Sequence, residues 1–143
     1  MIHFISSLPS TTAALDAERT RLEVIAQNIA NANTTRGLDG KPYQRQQVVF
    51  ESILQHAQGK TGCGVSIPQP QVSRIQKDPR PGSAIYEPGH PDADTNGMVQ
   101  MPNVNIYEEM ADMIVASRTY EANVAVFKNG RAMATQALSI GKH

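Results

Sequence analysis

Two segments, one near each end of the chain, carry apolar residues at every seventh position. The N-terminal repeat consists of Leu8, Leu15, Leu22 and Ile29. The C-terminal repeat consists of Ile106, Met113, Tyr120 and Phe127. A spacing of seven is close to two turns of a helix and is typical of helices that wind around a partner helix. The pattern therefore predicts one helix from about residue 8 to 33 and a second from about residue 103 to 139.

Met110, Val124 and Leu138 occupy the alternating positions of the C-terminal repeat. Further apolar residues lie beside the main seam and widen it: Ile25, Ile114, Val115 and Val126. A stripe at helical spacing usually packs into the core of its own chain, so a self-contained bundle is one interpretation. Two such long helices in a chain of 143 residues would, however, leave apolar flanks exposed. The pattern therefore favours helices that pack in an assembly of several chains.

The expected helix ends are marked by proline, serine and asparagine. Pro9 and Ser10 suit the start of the first helix, because proline fits a first turn and serine can cap it. The same helix ends in a run rich in asparagine, a residue that tolerates the left-handed conformation after a helix. Three asparagines of this run are candidates for hydrogen bonds to a neighbouring helix or to backbone carbonyls: Asn28, Asn31 and Asn33.

The second helix has two possible caps and one expected interruption. Asn103 or Asn105 can cap it, and the acidic Glu108 and Glu109 follow in its first turns, where the helix dipole favours them. Gly130 is expected to interrupt the helix. It either allows another backbone to approach closely or weakens the helix by about 1 kcal/mol.

The middle of the chain is too rich in proline and glycine for long helices. Seven of the nine prolines lie between Pro68 and Pro102, and six of the ten glycines lie between Gly59 and Gly97. The remaining strand candidates are residues 46–51, 64–67, 72–75, 84–86 and 98–101. They predict a small, irregular β unit whose free strand edges need a partner or a cover.

Together these elements predict a mainly α fold with a small β part. Residues 1–36 form an N-terminal helical segment, residues 37–102 a small Pro/Gly-rich β unit, and residues 103–143 a C-terminal helical segment. We expect the two long terminal helices to pack as an antiparallel, coiled-coil-like pair.

Charge and composition argue against several classes of function. The 13 basic and 13 acidic residues cancel, and no basic block marks a surface for nucleic acid or anionic lipid. No apolar run approaches the roughly 18 to 20 residues that span a bilayer. The first twelve residues contain neither Lys nor Arg, so no cleaved secretory signal is expected. The chain is expected either to stay in the cytosol or to leave by a route that needs no such signal.

Three local motifs suggest chemistry, and each has a simpler structural interpretation. Gly59-Lys60-Thr61 lacks the first glycine of a phosphate loop, because Leu54 occupies that position. Residues 90–94 hold one histidine and two aspartates, but such a proline-containing segment is more typical of a turn. Cys63 lies between two glycines without catalytic spacing around it. We expect no cofactor, no metal and no small-molecule substrate.

Two end segments carry a resemblance to a known family. Residues 22–35, LEVIAQNIANANTT, resemble the N-terminal signature of bacterial flagellar axial proteins. Residues 101–105, MPNVN, and residues 117–123, SRTYEAN, resemble their C-terminal signature. Residues 41–46 and 87–94 match blocks of the short proximal rod proteins. The lack of a large inserted middle domain also resembles these rod proteins.

The resemblance implies a structural subunit of the flagellar rod rather than an enzyme. Members of the family are exported unfolded by the flagellar type III apparatus and assemble in the periplasmic space. Their terminal helices form an inner tube, and the small β unit lies further out. The implied partners are further copies of the chain, sister rod proteins, the membrane-ring base and the export apparatus.

The interface expected from the stripes and the asparagine run comprises Leu8, Leu15, Leu22, Ile25, Asn28, Ile29, Asn31, Asn33, Ile106, Met110, Met113, Tyr120, Val124, Phe127 and Leu138. Two alternatives come from other functional classes. One is a cytosolic helical adaptor that binds a partner helix. The other is a metal-dependent enzyme that uses His90, Asp92 and Asp94.

Overall fold

A computed structural model describes residues 7–37, 39–56 and 66–140 of the chain. Within these residues there are two helices, one near each end of the chain, and four strands between them. In chain order the elements are α1 (Ser7–Ala30), β1 (Gln46–His56), β2 (Ser66–Lys77), β3 (Ala84–Tyr86), β4 (Met98–Gln100) and α2 (Ile106–Ile140). The prediction of a mainly α fold with a small β part is confirmed.

Helix α1 is close to its predicted bounds but stops earlier in the asparagine run. It ends at Ala30, and the next three residues form turns. The backbone N–H of Ala32 donates to the carbonyl of Ile29 at 3.2 Å, and that of Thr34 donates to the carbonyl of Asn31 at 3.0 Å. These tight turns take up carbonyls that a helix end leaves without partners.

Asn105, rather than Asn103, caps helix α2. Its side-chain oxygen accepts the N–H of Tyr107 at 3.1 Å, and its carbonyl accepts the N–H of Glu109 at 3.0 Å. The helix then runs for 35 residues, or about 52 Å, without a break. The expected interruption at Gly130 is wrong, because one glycine weakens a helix by about 1 kcal/mol without ending it. Gly130 is instead buried within the helix.

The two helices contact each other and run in opposite directions. The amide of Asn28, in the last turn of α1, donates to the carboxylate of Glu109, in the first turn of α2. Arg21, two turns earlier in α1, lies 4.0 Å from Asp112, one turn further along α2. Moving backwards along α1 therefore means moving forwards along α2.

Strands β1 and β2 form a long antiparallel ribbon that begins with Gln46 opposite Lys77. Two short strands were expected where the structure has the single strand β2, which includes Pro68 and Pro70. Proline cannot donate to a ladder, so it is tolerated at a free edge. Because the two prolines are two residues apart, their backbone nitrogens face the same edge of β2. In a two-stranded ribbon the outer edge of each strand is free.

The ribbon contains one irregularity. Val49 pairs with Arg74, whereas the next residue, Phe50, pairs with Val72, so Ser73 is an extra residue in β2. An extra residue of this kind bends the strand and increases its twist. Helix α1 contacts both strands of the ribbon as well as α2, which makes it the central element of the fold.

The short strands β3 and β4 form a second antiparallel pair, in which Ile85 lies opposite Val99. The segment before β3 passes very close to the segment after β4. A Cβ atom added at Gly82 would lie 1.8 Å from the carbonyl oxygen of Met101, so only glycine fits there. This close approach fixes the chain just before it enters α2.

The apolar core is small. Its buried residues are Ala17, Val24, Ile25, Ala32, Val99 and Ala116. The three largest fully buried side chains are Glu109, Val99 and Asn28, of which two are polar. Burial in this chain therefore depends on polar contacts as much as on apolar ones.

Candidate assembly interface

A buried polar cluster joins α1, the start of β1, the end of β2 and the start of α2. We call it the polar clasp and define it by Asn28, Arg45, Asp78, Asn103 and Glu109. Asn28, Asp78 and Glu109 are almost inaccessible to solvent. Buried polar groups cost free energy unless they find partners, so the hydrogen bonds of the clasp decide whether it stabilises the fold.

The Asn28 side chain uses its full hydrogen-bonding capacity. Its oxygen accepts from the hydroxyl of Tyr43 and from the backbone N–H of Gln46, each at 2.9 Å. Its nitrogen donates to the carbonyl of Gln46 at 2.8 Å and to a carboxylate oxygen of Glu109 at 2.9 Å. An amide has two donors and two acceptor sites, so Asn28 has none left for a neighbouring molecule.

Glu109 is held between an amide and a guanidinium. One carboxylate oxygen accepts from Asn28 and the other accepts from Nε of Arg45. Arg45 also lies 3.4 Å from Asp112 and 3.9 Å from Asp78. The positive charge of Arg45 therefore compensates a carboxylate that is removed from solvent, which a neutral partner could not do.

Asp78 anchors the end of β2. Its carboxylate accepts from the backbone N–H of Arg80 at 3.0 Å and from the guanidinium of Arg80 at 2.7 Å. These hydrogen bonds hold the pKa of Asp78 below its ordinary value, because they favour the ionised carboxylate. They raise the pKa of Arg80 in return. The backbone N–H of Asp78 donates to the carbonyl of Arg45 at 2.8 Å, which links the strand to the clasp.

Asn103 closes the clasp from the segment that leads into α2. Its oxygen accepts the backbone N–H of Arg45 at 2.7 Å. Its nitrogen donates to the carbonyls of Asp78 at 3.2 Å and of Arg80 at 2.9 Å. Burial raises the pKa of the neighbouring Tyr43, and the negative charge of Glu109 adds to the shift. The groups of the clasp are paired with one another, so the clasp holds the four segments together.

The segment of residues 90–94 is a turn, as its composition predicts. The ring nitrogen Nδ1 of His90 accepts the backbone N–H of Asp92 at 3.1 Å. The carboxylate of Asp92 accepts from the hydroxyl of Thr35 at 2.8 Å and pairs with Arg36 at 3.5 Å. Asp94 accepts the backbone N–H of Asn96 at 2.8 Å. These side chains fix the turn, and Asp92 attaches it to the segment that follows α1.

The predicted leucine stripe of α1 lies beside the most buried seam of the helix. Ile25 is buried, whereas Leu15, Leu22 and Ile29 are half-buried. The seam itself contains Ala17, Val24 and Asn28. The stripe therefore keeps accessible surface in the single chain. The side chain of Leu8 lies outside the described residues.

The other two asparagines of the run differ from Asn28. Asn31 is half-buried, and its side chain donates to the carbonyl of Gln27, one turn earlier in the same helix, at 2.8 Å. Asn33 is exposed. Within the described residues, the asparagine run thus supplies one contact between helices, from Asn28 to Glu109, and two bonds to backbone carbonyls, from Asn28 to Gln46 and from Asn31 to Gln27.

The C-terminal stripe is divided between covered and exposed positions. Met113, Tyr120, Val124 and Phe127 are half-buried, and Ala116 and Gly130 on the same helix are buried. Small residues at these positions let the helices approach closely. The predicted interface residues Ile106, Met110 and Leu138 are exposed, and 70% of the Leu138 surface is accessible.

A second line of exposed apolar residues runs along α2 beside its buried positions. We call it the outer row: Val115, Val126, Met133 and Ile140. Each of them exposes more than half of its surface. The last three recur at intervals of seven, a signal that the sequence contains but that the spacing of the main stripe does not reveal. A row of this length on one helix is typical of an interaction surface.

The sequence patterns also missed Arg45, Asp78 and the true role of Glu109. Glu109 was expected only to favour the helix start, and nothing in its spacing relates it to Asn28, which lies 81 residues away. Within the described residues, no helix is long and apolar enough to cross a membrane. The same residues contain no group of three or more His, Cys, Asp or Glu side chains placed to hold a metal ion.

Comparisons with known proteins match both ends of the chain. Residues 10–36 match the family model described as "Flagella basal body rod protein". Residues 95–140 match the model described as "Flagellar basal body rod FlgEFG protein C-terminal".

Curated relatives match over nearly the whole chain, and three of them, each named flagellar basal-body rod protein FlgC, show the extent of the match. The protein of Borreliella burgdorferi is 40% identical over 94% of this chain and 95% of its own length. That of Salmonella typhimurium is 40% identical over 91% of this chain and 92% of its own. That of Bacillus subtilis is 38% identical, with 95% and 97% covered.

Proposed function

Because this chain belongs to the FlgC family of flagellar basal-body rod proteins, we propose that its helices α1 and α2 pack with those of neighbouring subunits in the rod. The family is structural, and the chain is a structural subunit of the flagellar basal body rather than an enzyme. It assembles with other rod components. The alternatives of a cytosolic adaptor and of a metal-dependent enzyme are thereby set aside.

In our proposal the terminal segments, residues 1–36 and 103–143, line the inner tube of the rod as coiled-coil-like pairs. Residues 37–102 form the β unit on the outside. The observation that carries this proposal is the outer row of α2, which leaves more than half of the surface of Met133 and Val126 exposed in a single chain. Burying one large apolar side chain stabilises by roughly 1.5 to 3 kcal/mol, so a row of them favours association.

The half-buried stripe of α1 supports the same arrangement. Leu15, Leu22 and Ile29 keep accessible surface on the border of the helix pair, where a further helix can cover them. A contact between different patches of identical chains that does not close on itself generates a helical filament. Such contacts suit a rod built from further copies and from sister rod proteins.

The proposal also states how the chain is exported and where its assembly begins. The chain is exported by the flagellar type III apparatus, and the membrane-ring base receives the first subunits. A chain that exposes apolar rows when folded is prone to aggregate, so export in an unfolded state keeps these rows apart until the rod takes them up.

The direct test uses a strain that lacks this chain and is complemented with a tagged copy. Cryo-electron microscopy of purified basal bodies is expected to show the chain in the rod, with α1 and α2 along the inner tube. Recovery of the tagged protein only from the cytosol, with basal bodies that lack it, would overturn the proposal.

A substitution tests the stripe itself. Leu22→Asp is expected to abolish motility in the complemented strain, because it places a charge in an apolar contact between subunits. Gln27→Asp is the matched control, since Gln27 is exposed on the same helix about 140° around from Leu22. Circular dichroism of both purified variants checks that α1 still forms. Normal swimming of a strain that carries Leu22→Asp would show that the stripe is not an interface.

A further inference from the structure

The apolar stripes alone do not determine how far along each other the two helices lie. In α1 the stripe recurs at Leu15, Leu22 and Ile29, and in α2 it recurs at Met113, Tyr120 and Phe127. A slide by seven residues, about 10 Å along the axis, moves each stripe residue into the place of the next. The buried positions of α2 include small residues such as Ala116 and Gly130, which offer little resistance to such a slide.

The polar clasp, by contrast, fits one alignment only. Asn28 and Glu109 meet at 2.9 Å, and neither residue has an equivalent one heptad away. Ala116 stands seven residues after Glu109, and Arg21 stands seven residues before Asn28. A slide in one direction places Asn28 opposite Ala116, which cannot accept its N–H, and a slide in the other direction places Glu109 opposite Arg21. Either slide parts the amide from the carboxylate. Buried groups of this kind are known to select one register in helix pairs at some cost in stability.

We propose that the contact between Asn28 and Glu109, with Arg45 as the counter-charge, selects the register of α1 on α2. The two residues act as positioning residues, because they determine where the apolar stripes lie rather than contact a neighbouring subunit themselves. Glu109 is fully buried, so a register that separates it from Arg45 buries an uncompensated charge.

The same contact also aligns the two helices with the β unit. The amide of Asn28 also bonds both the N–H and the carbonyl of Gln46, the first residue of β1. Asn103 bonds the backbone of Arg45 and leads directly into α2. One amide therefore sets α1, β1 and α2 relative to one another. Two helices with degenerate apolar stripes thereby acquire a single alignment with the ribbon.

This inference rests on the proposed function only for its consequence in the rod, because the register is measurable in the free chain. Spin labels are attached in the full-length protein at Ala26→Cys and Lys128→Cys, both exposed positions, with Cys63→Ser to remove the native thiol. The two sites are far apart along the axis, so a slide changes the distance between the labels. Double electron–electron resonance then reports the distribution of that distance.

The parent chain is expected to give a single distance. Glu109→Leu is expected to add a second distance displaced by about 10 Å, since it removes the acceptor but leaves the apolar seam and the pairing of Arg45 with Asp78 and Asp112. Glu109→Gln is the conservative variant. It keeps an acceptor for Asn28 and is expected to restore the single distance. Glu108→Leu removes an equal charge from an exposed position in the same turn and is expected to change nothing.

Two outcomes would overturn the inference: several distances in the parent chain, or one unchanged distance in Glu109→Leu. Loss of stability without a second distance would mean that the clasp is merely structural. Motility and basal-body incorporation of the same variants test the proposed function separately. A second distance in a protein that never enters basal bodies would support the register inference and count against the rod role.

Discussion

Asn28 illustrates how a single side chain can organise a chain with a small apolar core. An amide buried without partners costs free energy, and an unsatisfied donor or acceptor costs about 1 to 3 kcal/mol. Asn28 avoids this cost, because each of its donors and acceptors is paired within the chain. An asparagine is therefore needed at position 28, because its side chain makes contacts that join three segments at once.

Asp78 gives the chain a contribution to stability that depends on pH. Its folded pKa is lowered by hydrogen bonds from Arg80, so the unfolded chain binds a proton more readily than the folded one. The stabilisation is complete above the ordinary pKa of about 3.9 and disappears as the pH falls through the folded value. We predict that the parent chain is more stable than Asp78→Asn at pH 6 and that the difference shrinks below about pH 4.

Urea unfolding between pH 2 and pH 6 measures this difference. The control is Asp39→Asn, which removes an exposed carboxylate and is expected to change stability by less than about 0.5 kcal/mol. A difference between the parent and Asp78→Asn that stays constant down to pH 2 would contradict the role assigned to the carboxylate.

At the scale of elements, the sequence predicts what depends on local pattern. Seven-residue spacing and a capping asparagine are sufficient to place α2, and the strands β3 and β4, though not their pairing, follow from short apolar runs between turns. Strand β2 was divided in two because Pro68 and Pro70 normally break strands. That rule assumes that each N–H is needed in a ladder, and on the free edge of a ribbon it is not.

The clasp could not be predicted from the sequence, for a related physical reason. Its members come from segments up to 81 residues apart, and each has an ordinary local explanation. Asn28 looks like part of a helix-ending run, and Glu109 looks like a charge at a helix start. Only the contact between them distinguishes these roles, and contacts at such separation leave no periodic signal in one sequence.

The close approach before α2 makes a prediction for the same region. Gly82→Ala is expected to destabilise the fold by about 1 to 3 kcal/mol, because the added carbon collides with the carbonyl oxygen of Met101. Gly89→Ala is the matched control, since nothing lies within 4 Å of a Cβ added there. Thermal unfolding of both variants makes the comparison. Equal melting temperatures for the two variants would argue against the close approach of residue 82 to the carbonyl oxygen of Met101.

For the whole molecule, substitutions in the exposed outer row allow the folding of the single chain and its assembly to be tested separately. Met133→Asp is expected to leave the stability of the free chain within about 0.5 kcal/mol, because the side chain is 55% exposed. It is expected to reduce incorporation into basal bodies strongly, since a subunit contact would then bury a charge. Thr135→Asp changes an exposed polar position that lies about 200° around the same helix from Met133, and it is expected to incorporate normally.

Incorporation is measured by immunoblotting of purified basal bodies, and stability by urea unfolding of the purified chains. If Met133→Asp enters basal bodies as efficiently as Thr135→Asp, the outer row is not a contact between subunits. A large loss of stability in the free chain would instead place Met133 in the fold of the single chain.

The polar contacts between α1 and α2 have a mechanical consequence. Among the described residues, the hydrogen bond from Asn28 to Glu109 and the ion pair of Arg21 with Asp112 join α1 to α2 near one end of the pair. Directional bonds lose their geometry when two helices slide, so they resist shear. The clasped end of the pair is therefore expected to resist a load that would slide α1 along α2.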